Sequence, residues 1–404
     1  MSTGVKKAEL LAPAGDMEKL RYAVAFGADA VYLSGQKFGM RAAAGNFDEQ
    51  QLLEAVAYCH ARGVQVFVTV NIMPRPGDLA ELPRAIDVIA ASGADAVIVA
   101  DAGVLALVRE RAPGLRIHVS TQANVLNQAA ACQWHRMGAS RIVLARELSL
   151  EEIAAIRRAV PKELELEVFA HGSMCMAYSG RCVLSNYMTG RDANRGACAQ
   201  PCRWKYSLME EKRPGQYFPV EESGEGTFIL SAQDLCMVEY IPQLLEAGVD
   251  SLKLEGRAKT FYYTAVVTHA YRRALDAALQ GQAFPGQALE ELQKVSHREY
   301  STGFYFGPAR QQYRDGYIRE WDVCACVISC GPDGRAVLQQ KNKCAQGDCV
   351  ELLAPGRDVQ PFTLGTLWDA DGQVLDCARH PMMYFETMLP AYAPPFSLIR
   401  KKIQ

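Results

Sequence analysis

The chain has 404 residues, of which 49% are hydrophobic and 22% charged, an ordinary composition for a globular protein of two or three domains. The formal net charge of −2 excludes a strong overall attraction to nucleic acid, so any such binding requires a local basic surface. No run of about 18 apolar residues could span a membrane. The N-terminal residues lack the apolar run of a signal peptide. We therefore expect a cytoplasmic protein with reduced thiols and no membrane partner.

In chain order, one sequence pattern, called here the recurring phrase, appears several times: a glycine that ends a helix is followed by a strand of mostly apolar residues. It reads FGADAVYLS at 26–34 and SGADAVIVAD at 92–101. A glycine stops a helix in the left-handed conformation, and the apolar run that follows predicts a strand buried on both faces. With related segments the count reaches eight predicted strands: Glu9–Gly15, Phe26–Ser34, Arg62–Asn71, Ser92–Asp101, Arg116–Gln122, Met137–Arg146, Glu165–Gly172 and Ala247–Arg257.

Amphipathic helices are predicted between these strands. They cover Met17–Phe26, Asp48–Arg62, Leu79–Ser92, Val104–Arg111, Asn127–Met137, Ser149–Val160, Cys236–Ala247 and Thr260–Leu279. This alternation predicts an α/β fold, a (β/α)8 barrel of the TIM type, with its chemistry at the carboxyl ends of the strands. A doubly wound open sheet is the alternative, but no G-x-G-x-x-G loop follows the first strand.

The pattern of predicted strands, helices and turns indicates three regions. The barrel is expected at 1–285 and includes a cysteine-rich insertion at 173–235, far longer than an ordinary loop between a strand and its helix. Residues 286–320 are predicted to form a linker. Short strands and turns, beginning with a hairpin around 331–334, then predict a small C-terminal β-barrel domain at 321–404.

Four cysteines of the insertion are closely spaced. Cys175, Cys182, Cys198 and Cys202 follow the pattern C-x6-C-x15-C-x3-C. Zinc sites usually pair their ligands as C-x2–4-C, which only the last two cysteines satisfy. Longer gaps suit a cubane iron–sulfur cluster wrapped by several loop segments. Spacing alone leaves iron–sulfur and zinc about equally favoured. Most other cysteines are expected to be small buried hydrophobes.

Basic and aromatic residues alternate around these cysteines. The cationic members Arg191, Arg195, Arg203 and Lys205 are predicted to contact RNA phosphates, with neighbouring rings stacking on bases. The alternative is that the arginines neutralise a cluster and nearby carboxylates.

Charged and polar residues also follow the predicted strands. We expect them at one rim of the barrel, where Arg41, Arg146, Lys253 and Arg257 would bind an anionic ligand such as a carboxylate or phosphate. The rim candidates for binding or catalysis are Arg41, Gln122, Arg146, Glu147, His171, Lys253, Glu255 and Arg257. The alternatives are an internal ion-pair network and, for His171, a ring satisfied by the backbone.

Several segments resemble the collagenase-like U-32 peptidase family. The segment EVFAHGSMCMAYSGRC at 167–182 is similar to its signature. Other similar segments are ELLAPAGD, ADAVYLSGQKFGMRAAAGNF, STQAN, ARELSLEEI, GACAQPCRW and SLKLEGRAKTFYY. The resemblance covers residues 8–310, and QQKNKCAQGDCVEL is similar to the family's C-terminal extension, with Cys344 in place of an aromatic residue.

Within that family the chain resembles the proteins that hydroxylate tRNA. Those make 5-hydroxyuridine at the wobble position, depend on prephenate and need an iron–sulfur cluster; a related branch hydroxylates a cytidine of ribosomal RNA. The resemblance implies that the four cysteines hold a [4Fe–4S] cluster, that prephenate, a dicarboxylate, is the anion at the rim, and that tRNA or rRNA is the partner. His171 and Glu255 are then the candidate catalytic residues. A peptidase and a non-catalytic RNA-binding factor are the rivals, although neither G-x-S-x-G nor H-E-x-x-H occurs.

Overall fold

The computed structural model describes residues 8–41, 44–175, 177–204, 207–209, 214–215, 217–219, 233–309 and 317–403. In chain order its strands are β1 Glu9–Pro13, β2 Ala30–Ser34, β3 Gln65–Val70, β4 Ala96–Val99, β5 Arg116–Val119, β6 Arg141–Val143, β7 Glu165–Ser173, β8 Ser207–Met209, β9 Tyr217–Pro219, β10 Asp234–Cys236, β11 Ser251–Leu254, β12 Tyr300–Ser301, β13 Trp321–Cys330, β14 Arg335–Gln340, β15 Cys344–Ala345, β16 Cys349–Leu353, β17 Gln360–Thr363, β18 Leu367–Trp368, β19 Val374–Leu375, β20 Cys377–Ala378, β21 Tyr384–Met388 and β22 Leu398–Lys402.

The helices surround the barrel strands, as the alternation predicts. They are α1 Met17–Ala25, α2 Glu49–His60, α3 Leu82–Ala91, α4 Ala102–Arg111, α5 Gln128–Arg136, α6 Leu150–Ala159, α7 Leu184–Thr189, α8 Ile241–Glu246, α9 Phe261–Leu279 and α10 Gln287–Leu292. Polar side chains fix where several of them begin: Asp48 and Gln51 form a capping box at α2, and Ser149 and Glu152 form another at α6. None of the described helices is both long enough and apolar enough to cross a membrane.

Eight parallel strands close into a barrel. The order is β11-β1-β2-β3-β4-β5-β6-β7, and β7 pairs in parallel with β11 to complete the circle. Every residue of β2 is buried, as expected for a strand covered on both faces. The glycines of the recurring phrase have φ between 70° and 108°, namely Gly27, Gly63, Gly93, Gly138 and Gly248. The barrel prediction is confirmed.

The predicted start of the seventh helix at Cys236 is wrong. Residues 234–236 form β10, which pairs antiparallel with the end of β7, and α8 begins only at Ile241. The reason is that β7 continues for nine residues and therefore offers an edge beyond its barrel partners. Residues 286–320, predicted as a linker, contain α10 and β12; β12 pairs with β10, and Leu292 and Val295 belong to the barrel core.

The C-terminal region is an antiparallel sheet domain, which confirms the predicted β-domain. Its strand order is β17-β16-β22-β13-β14-β21-β18-β19, with β15 and β20 as a separate ribbon. Within residues 317–403, β17 and β19 form the two edges of this sheet. Cys324, Cys326, Cys344 and Cys377 are buried in or beside its core, as expected for small hydrophobic residues.

A buried ion network joins the two domains. Arg400 of β22 is fully buried and donates to Glu351 of β16 and to Glu291 of α10, at 2.7 Å each. Lys294 also contacts both carboxylates, at 2.9 Å and 3.0 Å. Since α10 packs on the barrel, these charges connect the C-terminal sheet to the barrel.

We expect Arg400→Leu to lower the free energy of unfolding by about 3–5 kcal/mol, because it leaves the buried Glu291 and the partly buried Glu351 with one lysine between them. Arg84→Leu is the matched control: its ion pair with Glu49 is largely exposed, so the loss should be about 0–1 kcal/mol. Urea denaturation of both variants is the measurement. Equal losses in the two would contradict a stabilising role for the buried network.

Candidate active site at the barrel mouth

A cavity of about 60 Å³ lies at the carboxyl ends of the barrel strands. This is the face of a (β/α)8 barrel where chemistry is expected. The cavity brings together six of the residues predicted at the rim. They are Arg41, Gln122, Arg146, Lys253, Glu255 and Arg257.

Glu255 is the acidic residue of this cavity. Its Oε1 accepts from Arg41 Nη2 at 3.0 Å, and its Oε2 accepts from the Tyr32 hydroxyl at 3.1 Å. Burial opposes ionisation, but the guanidiniums of Arg41, Arg146 and Arg257 outweigh it and lower the pKa of Glu255 to about 2. Glu255 is therefore an anion at neutral pH, which is the wrong state for a general acid.

Arg257 is nearly fully buried and donates only to neutral groups. Its Nη1 donates to Thr69 Oγ1 at 3.1 Å, and its Nη2 donates to the carbonyl of Met40. Burial lowers the pKa of Arg257 to about 10, which still leaves it charged at neutral pH. The residue thus anchors the loop that carries Arg41 and adds positive charge to the cavity floor.

Lys253 is neutralised from below. Its ammonium group lies 2.7 Å from Glu167 Oε1, and Arg141 reaches the other oxygen of Glu167 at 3.0 Å. Glu167 has no exposed surface. Sequence reasoning missed Glu167 and Arg141; the available signal was an acidic residue in the middle of the apolar strand segment ELEVF.

Arg146 donates to the carbonyl of Ser173 at 2.8 Å, and its guanidinium lies over the Phe169 ring. Among the described residues no carboxylate lies within ion-pair distance of Arg146 or Arg257. Buried polar atoms without a described hydrogen-bond partner surround this side of the mouth: Arg146 Nε, Gln122 Oε1 and Glu147 Oε2. The two guanidiniums and the Arg146 Nε donor suit an anionic ligand, whereas the oxygens of Gln122 and Glu147 are acceptors and would take hydrogen-bond donors.

His171 does not line the cavity. The pairing of β7 with β11 shifts register between Lys253 and Leu254, so Phe169 faces the cavity while His171 lies against the Tyr271 and Tyr300 rings. Burial lowers the pKa of His171 to about 3. The structure therefore separates the two predicted catalytic residues, and a neutral His171 outside the cavity is not placed to take a proton from a ligand there.

The insertion is fastened above the mouth. Arg195 forms a two-point ion pair with Asp78 of the loop after β3, at 2.5 Å and 3.0 Å, and Arg75 of that loop pairs with Asp192 at 3.1 Å. At a second point, beyond β5, a Cβ added to Gly180 would lie 2.1 Å from the carbonyl oxygen of Gln122. Only glycine permits that close approach of the insertion to the end of β5.

The four cysteines of the insertion are free thiols close to one another and to the rim. The pKa of Cys202 is raised first by burial and also by Cys175, Cys198 and Cys182, while Arg203 opposes the shift. Chiefly Glu255, and to a smaller degree Cys175, raises the pKa of Arg41, which places Cys175 near the rim. Within the described ranges no three histidine, cysteine or carboxylate side chains converge closely enough to hold a metal ion.

The predicted RNA-binding arginines have different surroundings. Arg195 is committed to Asp78, whereas Arg191 donates to the carbonyl of Ala197 and Arg203 donates to Gln200 Oε1, both neutral acceptors. Lys205 lies outside the described residues. Large exposed rings surround the cysteines, with exposures of 54%, 89% and 46% for Tyr178, Tyr187 and Trp204.

Comparison with known proteins identifies the family. The model for peptidase family U32 matches residues 15–315, and the model for its C-terminal domain matches residues 319–400. The chain therefore belongs to peptidase family U32.

Two curated relatives cover more than nine tenths of the chain, and a third covers about two thirds of it. A tRNA hydroxylation protein P1 of Bacillus subtilis (strain 168) is 38% identical over 404 residues, which span 98% of this chain and 95% of that protein. A tRNA hydroxylation protein P of Escherichia coli (strain K12) is 37% identical over 417 residues, spanning 92% and 91%. A 23S rRNA 5-hydroxycytidine synthase of Escherichia coli (strain K12) is 38% identical over 280 residues, spanning 69% of this chain and 41% of that protein.

Buried histidines predict a loss of stability on mild acidification. Burial lowers the pKa of His171 to about 3 and, with smaller electrostatic contributions, those of His269 and His297 to about 4. Below the ordinary pKa of 6.5 the unfolded chain binds protons that the folded protein excludes. Each histidine should therefore cost about 1.4 kcal/mol between pH 7.5 and 5.5.

Urea denaturation at both pH values should show this loss in the wild type. Over the same pH interval the free energy of unfolding of His171→Gln should fall by about 1.4 kcal/mol less than that of the wild type, because one titrating histidine is gone. His380→Gln is the control, because that side chain is exposed and should leave the pH dependence unchanged. An identical pH dependence in His171→Gln would contradict the burial argument.

Proposed function

We propose that this protein hydroxylates a base of RNA, using a dicarboxylate bound at the barrel mouth beneath an iron–sulfur cluster. The observation that carries the proposal is the pair of buried guanidiniums, Arg146 and Arg257, that line the cavity without a described carboxylate partner. Four free cysteines lie in the insertion that is fastened to the same mouth. The names of the curated relatives support RNA as the substrate. The finer proposal is conversion of a wobble uridine of tRNA to 5-hydroxyuridine, with a cytidine of ribosomal RNA as the alternative.

The charges of the cavity suit a dianion. Of the charged residues lining it, Arg41 is paired with Glu255, and Lys253 is paired with Glu167 below the cavity. Arg146 and Arg257 remain, so the lining and Glu167 together carry two uncompensated positive charges. Two carboxylates would balance them, and prephenate supplies two. In a cavity of about 60 Å³ one carboxylate can sit deeply while the remainder of the ligand lies toward the insertion.

The cysteines suit a [4Fe–4S] cluster by their chemistry. Cys175, Cys182, Cys198 and Cys202 supply the four thiolates that such a cluster takes. The backbone N–H of Gln200 already donates to Cys198 Sγ at 3.3 Å, and hydrogen bonds of this kind tune cluster potentials. When bound, the cluster would supply one-electron chemistry next to the rim. The chain itself holds the ligand on Arg146 and Arg257 and positions Cys175 near Arg41.

The surface of the insertion is the proposed RNA contact. Tyr178, Tyr187 and Trp204 expose rings on which unpaired bases can stack. Arg191 and Arg203 donate to neutral oxygens, and among the described residues no carboxylate pairs with either, which suits contact with phosphates. A single-stranded loop of RNA laid over these residues would pass the cysteines and the mouth.

The family description names a peptidase, but the cavity offers little to support proteolysis. The residues that line it include Ser120 and Thr121 and contain neither a histidine nor a cysteine. A hydroxyl nucleophile needs an adjacent base to become reactive. Degradation of casein by the pure protein would nevertheless favour the peptidase reading.

Deletion of the gene should remove one hydroxylated nucleoside from total RNA, and mass spectrometry of digested tRNA and rRNA separately would identify which. The wild-type gene should restore it. Cys198→Ala should fail to restore it, because one thiolate of the proposed cluster is lost, whereas Cys349→Ala should succeed because that exposed cysteine lies in the C-terminal sheet. An unchanged nucleoside profile in the deletion strain would overturn the proposed activity.

Metal analysis of the same proteins tests the cluster separately. Anaerobically purified wild type and Cys349→Ala should contain about four irons per chain, and Cys198→Ala markedly fewer. Stoichiometric zinc without iron would contradict the iron–sulfur assignment and would leave the RNA activity to be judged by the nucleosides alone.

The arginines of the insertion should differ in their contribution to RNA binding. Arg191→Gln and Arg203→Gln should each reduce the slope of log affinity against log salt by about one phosphate contact. Arg195→Gln should change the slope much less, because Asp78 already neutralises that charge, and should instead lower the melting temperature. Filter binding of tRNA over a range of salt concentrations is the measurement. A slope change for Arg195→Gln equal to that of Arg191→Gln would contradict this distinction.

A further inference from the structure

The Glu255 carboxylate occupies a place in the cavity where the carboxylate of a ligand could bind. Its carboxylate faces Arg41 at 3.0 Å inside the proposed ligand cavity, where a ligand carboxylate would find its best partner. We infer that Glu255 is a built-in competitor, which a dicarboxylate displaces from Arg41 when it binds while a monocarboxylate leaves the pair intact. The inference rests on the proposed dicarboxylate site and concerns how that site selects its ligand.

The accessibility of the three guanidiniums favours this order of events. The Arg41 side chain is 30% exposed, whereas Arg146 and Arg257 are 9% and 2% exposed. A carboxylate that enters deeply meets Arg146 and Arg257, which have no described acidic partner. Only a second carboxylate on the same ligand is then held beside Arg41, where its effective concentration is high enough to compete with Glu255.

The backbone beneath Arg41 is fixed, so the exchange requires only side-chain movement. The N–H of Met40 donates to Asn71 Oδ1 at 3.1 Å, and the Met40 carbonyl accepts from Arg257. Arg41 itself has φ of 70°, a left-handed conformation that is unusual for a residue other than glycine. A strained backbone held by buried hydrogen bonds is a common way of presenting a side chain to a ligand.

Glu255 keeps a hydrogen bond after the exchange. The Tyr32 hydroxyl lies 3.1 Å from its second oxygen and 3.0 Å from the Leu254 carbonyl, so its single proton can be donated to either acceptor. Tyr32 is itself buried. A displaced carboxylate held by Tyr32 avoids the full cost of an unpaired buried charge. The displaced state is therefore accessible, and the competitor remains in place to return to Arg41 when the ligand leaves.

The test is calorimetric titration of two probes, prephenate as the dicarboxylate and phenylpyruvate as the monocarboxylate, into wild type and Glu255→Gln. Removing the competitor should tighten prephenate binding by about tenfold, the equivalent of one charge-assisted hydrogen bond. Phenylpyruvate affinity should change by less than about twofold, because it does not need Arg41. Asp87→Asn is the matched control: it removes a carboxylate from the surface ion pair with Arg111 and should alter neither affinity.

Each other outcome is decisive. If both probes bind more tightly to Glu255→Gln by the same factor, a general rise in positive potential explains the result and the exchange is overturned. If wild type binds prephenate and the variant binds it equally or more weakly, the exchange is wrong while the dicarboxylate site stands. If neither protein binds prephenate, the proposed site and the exchange both fail. Should Glu255→Gln not fold, Glu255→Asp draws the carboxylate back from Arg41 and carries the same expectations.

Discussion

A buried charge is costly without a partner of opposite charge, and the arrangement of the mouth depends on which of the barrel's buried charges have one. Glu167 is the central case, because it has no exposed surface and is reached by Lys253 from the mouth and by Arg141 from below. Arg141 in turn takes Glu9 at 2.6 Å. A buried carboxylate without these partners would be several kcal/mol less favourable. Arg141 also pairs with Glu165 at 2.8 Å, so the lower layer has no excess of positive charge. The uncompensated positive charge lies in the layer above it, where Arg146 and Arg257 are found.

The insertion contacts the layer of the mouth in which the unpaired guanidiniums lie, so it forms part of the candidate site. Its ion pair between Arg195 and Asp78 and its glycine contact at Gly180 hold it at two points of the mouth, beyond β3 and beyond β5. The four cysteines are consequently held in a fixed position relative to the cationic rim. A group held by the thiols and an anion held by the guanidiniums would therefore be neighbours.

The sequence predicted what depends on local pattern. Helix-stopping glycines and apolar strands repeat within short windows, and their number was enough to predict a barrel. The rim arginines were predictable because the loops that follow barrel strands lie at the mouth. The features that the sequence did not predict depend on residues that are distant in the chain. The register shift beside Lys253 turned His171 away from the cavity, and the acidic partner of Arg195 lies in another loop, 117 residues earlier. No local pattern records either fact.

The left-handed backbone at Phe38 and Arg41 has an evolutionary consequence. Phe38 has φ of 66° and Arg41 φ of 70°, conformations that cost residues with a Cβ about 1–2 kcal/mol each. Glycine at either position would relieve that cost, so simple selection for stability would favour it. At position 41, however, glycine would also delete the guanidinium that meets Glu255. The loop is therefore a place where thermostability and activity are expected to trade against each other, and where stabilised variants obtained by screening for folding alone would lose function first.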